Sequence, residues 1–315
     1  MKSLKKLGEF GFINEIRRWT RSGQKGLIGI GDDSAVLPAG GNKLICFTTD
    51  TIVENVHFTP PTPARKVGWK AMAVNISDIA AMGGEPKYAV MSLTIPKRIT
   101  FSYMKELYRG ILGCGRRFNV ALVGGDTVKG REFSVTLSLI GFVKKRELTL
   151  RRGARAGDDI FVTGSLGGSI LGKHLMFTPR IAESRFLVKR FRPNAMIDVS
   201  DGLIQDFEHI LEESNVGAEI WLNTIPVSAE ARRKSKGRRE AALASACRDG
   251  EDYELLFTVP PKLSKNLEKS WAAQFHTRLT NIGKVIEGRK KFKYADHGLI
   301  IKEPIWLRRK GFTHF

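Results

Sequence analysis

The chain has 315 residues, 42% hydrophobic and 27% charged, and its 52 Lys and Arg against 32 Asp and Glu give a formal charge of +20. This length suits one large or two ordinary domains, and the composition excludes fibrous and disordered classes. No run is apolar enough to span a membrane, and Met1 to Lys6 lacks the apolar stretch of a signal peptide, so a cytoplasmic protein is expected.

Hydrophobic periodicity predicts alternating helices and strands. Phe10–Thr20 reads as a short helix and Leu44–Thr48 as a strand. Val67–Met82, mostly small and apolar, reads as a buried helix, followed by a strand at Tyr88–Ile95. Thr100–Arg117 is a second helix, with Met104, Leu107, Ile111 and Leu112 on one face. Strands follow at Val120–Val123 and Phe133–Val143. The charged, glycine-containing stretch Lys144–Asp159 is the best boundary, dividing the chain into 1–148 and 149–315. Beyond it come a strand at Ile160–Thr163, a helix near Arg180–Arg190, a strand at Ala195–Val199, a helix at Leu203–Ser214 and a strand at Glu219–Leu222. Ala229–Ala246 is expected to be one helix, Glu254–Val259 a strand, and Lys284–Phe315 a β-rich, basic tail. The fold class is α/β, or α+β.

Cys46, Cys114 and Cys247 lie far apart without CxxC or Cys/His spacing, and read as reduced thiols. Basic residues cluster at Lys144–Arg155, Lys189–Arg192, Arg232–Arg239, Gly288–Lys293 and Arg308–Lys310. They read as a solvated exterior, as a field that steers a polyanionic nucleotide, or as a nucleic-acid surface. The last is the weakest reading, because no helix-turn-helix, zinc-finger or aromatic RNA-binding pattern accompanies the charge.

Six Asp-bearing motifs recur, all but the second containing glycine: GIGDD (Gly29–Asp33), FTTDT (Phe47–Thr51), NISDIAAMGG (Asn75–Gly84), VGGDT (Val123–Thr127), IDVSDGL (Ile197–Leu203) and DGEDYEL (Asp249–Leu255). A carboxylate at a strand end, beside a glycine that lets a ligand approach, suits a Mg²⁺–phosphate site. Each could instead be a cap or turn residue. Asp78 is the exception, since a charge inside a buried helix among Ala, Ile and Met would be costly without a partner. No P-loop, kinase catalytic loop, GxSxG, HExxH or Rossmann glycine pattern is present. The loop Gly164–Ser169 could offer backbone N–H groups to phosphate, or be a plain turn.

Together these motifs resemble those of the thiamine-monophosphate kinase family. That family belongs to the superfamily of aminoimidazole ribonucleotide synthetase, selenophosphate synthetase and the hydrogenase maturation factor that dehydrates a carbamoyl thioether. The resemblance runs from about Gly8 to Phe315. It rests most on TTDTIVENVHF (Thr48–Phe58) paired with AVNISDIAAMGGEP (Ala73–Pro86), on IDVSDGL, on DGEDYELLFT, and on the terminal KGFTHF. It implies ATP-dependent phosphorylation of thiamine monophosphate to thiamine diphosphate. It also implies a homodimer whose N-terminal domains form a barrel across the dimer, each followed by a C-terminal α/β domain.

Carried over residue by residue, Asp33, Asp50, Asp78, Asp126, Asp198 and Asp201 would bind several Mg²⁺ ions, with Thr48 or Thr49 assisting. Gly125, Asp126, Arg151 and Ser200 would hold ATP, together with Tyr108. His57 and Glu251 would face thiamine monophosphate. No general base is implied, because a phosphate nucleophile is already anionic near neutral pH. The chain departs from some relatives at Arg309, where they carry an aromatic residue before the terminal Lys-Gly; the nearest aromatic here is Trp306. Gly164–Pro179 is also shorter than in some relatives. Selenophosphate synthetase chemistry is disfavoured by the lack of an N-terminal reactive Cys, and the hydrogenase factor by the lack of a terminal one. An aminoimidazole ribonucleotide synthetase should lack GEDYELLFT and KGFTHF.

Overall fold

The computed structural model describes residues 4–20, 26–289 and 291–307. Its strands form two open sheets. The first contains β1 (Ala35–Pro38), β2 (Lys43–Val53), β3 (Glu85–Ile95), β4 (Ala121–Lys129) and β5 (Ser134–Lys144) in the order β1-β2-β5-β3-β4. Neighbours are antiparallel except the parallel β3–β4 pair. Before it lie the short helices α1 (Leu4–Leu7) and α2 (Glu9–Trp19); α3 (Ala64–Ala81) and α4 (Phe101–Phe118) complete this half.

Strand alternation sets the faces of this sheet. In β5, Val135, Leu137 and Leu139 are buried, alternating with half-buried residues, and they pack with the α3 and α4 side chains in one core. The other face is open, with Phe47, Tyr88, Val90 and Val123 exposed. β4 is an edge strand exposed along nearly its whole length. Because the sheet does not close on itself, one copy of the chain cannot make a barrel.

The second sheet contains β6 (Asp159–Thr163), β7 (Ala195–Asp198), β8 (Gly217–Trp221), β9 (Leu255–Val259), β10 (Leu279–Ile286), β11 (Phe292–Asp296) and β12 (Leu299–Ile301), in the order β12-β11-β8-β10-β6-β9-β7. Its helices are α5 (Lys173–Met176), α6 (Ile181–Arg190), α7 (Leu203–Ser214), α8 (Ala229–Lys234), α9 (Arg239–Arg248) and α10 (Pro261–Gln274). Both halves are mixed α/β, as the periodicity predicted.

α3 joins the halves. It touches β2, β5 and α4 on one side and α5, α6 and β7 on the other, so 14 of its 18 residues are buried. A helix apolar on all sides is stable only in such a position. Gly68 and Gly110 permit its close crossing with α4: a Cβ on Gly68 would lie 2.0 Å from the Leu107 carbonyl oxygen, and one on Gly110 2.0 Å from that of Arg65.

Some elements differ from expectation. The single helix expected at 229–246 breaks into α8 and α9, because Lys236 and Gly237 take positive φ, 52° and 76°. α10 was not predicted; of its side chains only Ser264, Leu267 and Trp271 are buried, too few for a strong stripe. β4 runs straight through Gly124-Gly125-Asp126, so Asp126 lies within a strand rather than past its end. The tail does contain β11 and β12, while residues 308–315, including KGFTHF and Arg309, lie outside the described residues. All three cysteines are free and buried. Among the described residues no helix is long and apolar enough to cross a membrane.

Candidate active site

Three separate segments bring carboxylates to one point. Asp33 comes from the loop before β1, Asp78 from the last turn of α3, and Asp198 from the end of β7. Each offers one oxygen, and these oxygens all lie within 4.8 Å of one another. Between Lys70 and Gly84, Asp78 is the one residue not fully buried, so it opens into this space. A carboxylate near a helix C-terminus faces the negative end of the dipole, which argues against a stabilising role there.

Neighbouring groups hold the cluster in place. Ser77 Oγ donates to Asp198 Oδ2 at 2.5 Å. The Thr48 hydroxyl donates to the Asp78 carboxylate. Asp50, two residues along β2, lies on the same strand face as Thr48 and shares a hydrogen bond with Asp78. Thr49 points the other way, its hydroxyl donating to the Leu137 carbonyl at 3.1 Å. Arg151 donates from its guanidinium to Asp33 Oδ1 and from its backbone N–H to Asp32 Oδ1, both at 2.6 Å.

The electrostatics are those of crowded, dry carboxylates. Burial, then the charges of Asp50, Asp198 and Asp33, push Asp78 well above the usual carboxylate range. Burial, then Asp33, raises Asp198 to about 8. Asp33 and Asp50 are raised chiefly by burial. Asp32 is raised to about 7, again chiefly by burial, although the Arg151 N–H opposes the shift. Asp33 Oδ2 and Asp50 Oδ2 are buried without a hydrogen-bond partner.

The loops IDVSDGL and DGEDYEL lie against each other beside this cluster. Glu251 N–H donates to the Ser200 carbonyl at 2.6 Å, Tyr253 N–H to Val199 at 2.8 Å, and Val199 N–H to Glu254 at 2.8 Å. The Asp201 carboxylate accepts from Gln205 Nε2 at 3.3 Å and stands outside the three-carboxylate group. The Asp201 and Gly202 N–H groups donate to Asp206 Oδ2 at 3.0 and 3.1 Å. His57 Nδ1 accepts from Val53 N–H at 3.0 Å. Glu251 forms an ion pair with Lys70, whose ammonium also reaches the His57 carbonyl.

Other expected site residues lie elsewhere. Asp126 is exposed on the edge strand β4, in the row Asp126, Ser92, Thr136, Thr51. Three strand spacings, about 14 Å, therefore separate it from β2. Gly125 has a structural reason to be glycine, since a Cβ there would lie 2.0 Å from the Met91 carbonyl oxygen. Tyr108 is half-buried against the first core. Trp306 follows β12, its carbonyl accepting from Arg248 at 2.6 Å.

The Gly164–Ser169 loop is a turn bound to the protein itself. Gly167 and Gly168 N–H donate to Asp252 and Asp249 at 2.8 and 3.1 Å. Sequence reasoning did not single out Lys70, Ser77 or Asp206. For Lys70 a signal was present, the one cation within the mostly small and apolar stretch 67–82; Ser77 and Asp206 look like ordinary neighbours of flagged residues.

A set of hard oxygen donors with crowded charge and no serine–histidine or cysteine–histidine pair suits divalent cations and phosphates rather than nucleophilic catalysis.

Comparison with known proteins shows the family of the chain. Residues 31–143 match the family model of the AIR synthase related protein N-terminal domain, and residues 134–295 that of the AIR synthase related protein C-terminal domain. The chain is 38% identical over 308 residues to the thiamine-monophosphate kinase of Buchnera aphidicola subsp. Acyrthosiphon pisum, covering 91% of this chain and 92% of the relative. It is 34% identical over 330 residues to that of Escherichia coli K12, covering 98% of each. The solved complex of AaThiL with AMPPCP and TMP superposes with a TM-score of 0.85 at 32% identity, over 100% of this chain and 99% of that one.

Proposed function

The chain belongs to the thiamine-monophosphate kinase family, and from that premise we propose that it transfers the γ-phosphoryl group of ATP directly to thiamine monophosphate, giving thiamine diphosphate. The observation that carries this reading is the convergence of Asp33, Asp78 and Asp198 on one point. The acceptor is a phosphate oxygen, already ionised near neutral pH, so the transfer needs no strong general base.

The residues present fit Mg²⁺. Their donors are hard oxygens, and Asp33 and Asp50 each keep a buried carboxylate oxygen with no hydrogen-bond partner. Asp33, Asp50, Asp78 and Asp198 would hold the ions, with Asp201 at the margin and Thr48, rather than Thr49, orienting Asp78. Mg²⁺ bound there would neutralise two polyanions and align them for in-line transfer. The protein's own part is positional: Ser77 and Thr48 fix the carboxylates, and Arg151 holds the Asp33 loop against α7 through the bond from Ser214 Oγ to its carbonyl, 3.1 Å.

Arg151 and Ser200, with Tyr108, Gly125 and Asp126, are proposed for ATP, and His57 and Glu251 for thiamine monophosphate. We also propose a homodimer. The open apolar face of the first sheet and the unpaired edge of β4 are surfaces that a second copy would cover, closing a barrel. Gly125 and Asp126 lie on that edge, so their role belongs to the assembled dimer. The proposed domain boundary is 148/149, and the proposed location is the cytoplasm.

The test is incubation of the pure protein with ATP, Mg²⁺ and thiamine monophosphate. Thiamine diphosphate and ADP should appear in equal amounts by chromatography. A folded, nucleotide-binding protein that makes no thiamine diphosphate would exclude this function.

A further inference from the structure

Lys70 is the largest fully buried polar side chain among the described residues, with a side-chain exposure of 0%. Its ammonium reaches two segments of different origin. It donates to the His57 carbonyl oxygen at 3.0 Å, in the turn after β2, and it forms an ion pair with the Glu251 carboxylate from the second half of the chain. The Lys70 side chain is fully buried, whereas that of Glu251 is 24% exposed. The pair is therefore one-sided, an ammonium behind a carboxylate that faces outward.

The backbone around Glu251 is held in an uncommon shape. Glu251 and Tyr253 have φ of 54° and 50°, left-handed values that side chains other than glycine rarely adopt without support from their surroundings. Support comes from the Glu251 N–H bond to Ser200 and from Lys70. Along α3, Lys70 and Ser77 are seven residues apart, two helical turns, so they share a face about 10 Å apart. Ser77 holds Asp198 of the carboxylate cluster, and Lys70 holds Glu251. A single rigid helix thus fixes both the metal-facing and the outward-facing loop of the second half.

We infer that Lys70 is a positioning residue for the phosphate-accepting substrate, its buried ammonium locking the Glu251 carboxylate and the His57 turn into one binding surface; this rests on the kinase function proposed above. The two bonds of the Lys70 ammonium go to His57 and Glu251, the residues proposed above for thiamine monophosphate, so its effect falls on the acceptor. Burial lowers the Lys70 pKa, and Glu251 opposes that shift without cancelling it.

The experiment compares wild type, Lys70→Met, Lys70→Gln, Glu251→Gln and the Lys70→Met/Glu251→Gln double variant, with ATP and thiamine monophosphate varied separately. Turnover by the wild type tests the kinase function, independently of Lys70. Given that turnover, Lys70→Met should raise KM for thiamine monophosphate roughly tenfold, with KM for ATP and kcat within about twofold. Lys70→Gln, which keeps donors, should fall between the two. Glu251→Gln should show the same selective rise, and the double variant should add little to either single change. An unchanged KM for thiamine monophosphate in a folded variant, or equal rises in both KM values, would overturn the assignment. If circular dichroism shows that neither Lys70 variant folds, Lys70 is a folding element and the assignment is likewise overturned.

Discussion

Ser77 Oγ donates to Asp198 Oδ2 at 2.5 Å, a buried bond between residues 121 apart in sequence. It spans the seam between the two sheets, since Ser77 sits on α3 and Asp198 ends β7. Asp78, the next residue on the helix, then falls into the same space as Asp198 and Asp33. One helix face therefore sets the geometry of a cluster whose members come from three segments.

Ser77→Ala should weaken both stability and activity. The variant leaves a buried carboxyl without its hydroxyl donor, a change of about 1–2 kcal/mol for bonds of this type. Asp198 is then free to rotate, and kcat should fall by roughly tenfold, because misplaced ligands lower the rate without abolishing binding. Urea unfolding and initial rates at saturating substrates would measure the two effects. An unchanged kcat would show that Asp198 needs no support from α3.

Asp78→Asn separates function from stability. The amide keeps its size and can still accept from Thr48, but it removes a charge that Asp50, Asp198 and Asp33 all oppose. Turnover should be abolished, while the protein in EDTA melts at or above the wild-type temperature. Asp126→Asn should also abolish turnover. The single chain should keep its fold, as read by circular dichroism, because Asp126 is exposed on the edge strand of one copy. Near-normal activity would remove Asp78 from the metal-binding set in the first case and Asp126 from the proposed ATP site in the second.

The pH dependence of the metal-free protein follows from Asp198. Its carboxyl sits at about 8 when folded, against about 3.9 in an unfolded chain. Between those values the folded state binds more protons than the unfolded one, so this group makes stability fall as pH rises from about 4 to about 8. Asp32, at about 7, acts in the same direction. In EDTA, Asp198→Asn should therefore gain on the wild type as pH is raised from 5 to 8, as read by melting temperature. Added Mg²⁺ should narrow that gap, since binding displaces the protons. A gap that stays flat from pH 5 to 8 in EDTA would mean that Asp198 is already ionised in the folded protein.

How much of this was legible in the sequence depends on how far each feature is local. Asp78 stood out because a carboxylate amid Ala, Ile and Met has no local partner, and α3 proved as buried as its composition predicted. The membership of Asp33, Asp50 and Asp198 came from motif order, not from any periodicity. Asp126 shows the limit: VGGDT and FTTDT both read as an apolar strand running into Asp-Thr, yet one lies on an open edge and the other beneath a helix. Which strand is central is set by pairings across scores of residues, such as Thr51 with Thr136. α10 escaped for the opposite reason, as a surface helix with few buried side chains carries little periodic signal.

The α3–α4 crossing yields a paired prediction with opposite signs. A methyl at Gly68 would lie 2.0 Å from the Leu107 carbonyl oxygen and 2.9 Å from its carbon, both backbone atoms that no rotamer change can move. Alanine favours a helix over glycine by about 1 kcal/mol, but separating two packed helices outweighs that, so Gly68→Ala should destabilise by about 3 kcal/mol or more. Moving α3 would also shift Lys70, Ser77 and Asp78, so activity should fall even at temperatures where the variant stays folded. Gly113, on α4, has nothing within 4 Å of its would-be Cβ. Gly113→Ala should therefore show the propensity gain alone, roughly 0.5–1 kcal/mol of added stability, with activity unchanged. Denaturant midpoints for the two variants decide the matter: equal shifts in the same direction would mean that helix propensity, not the close crossing, governs both positions.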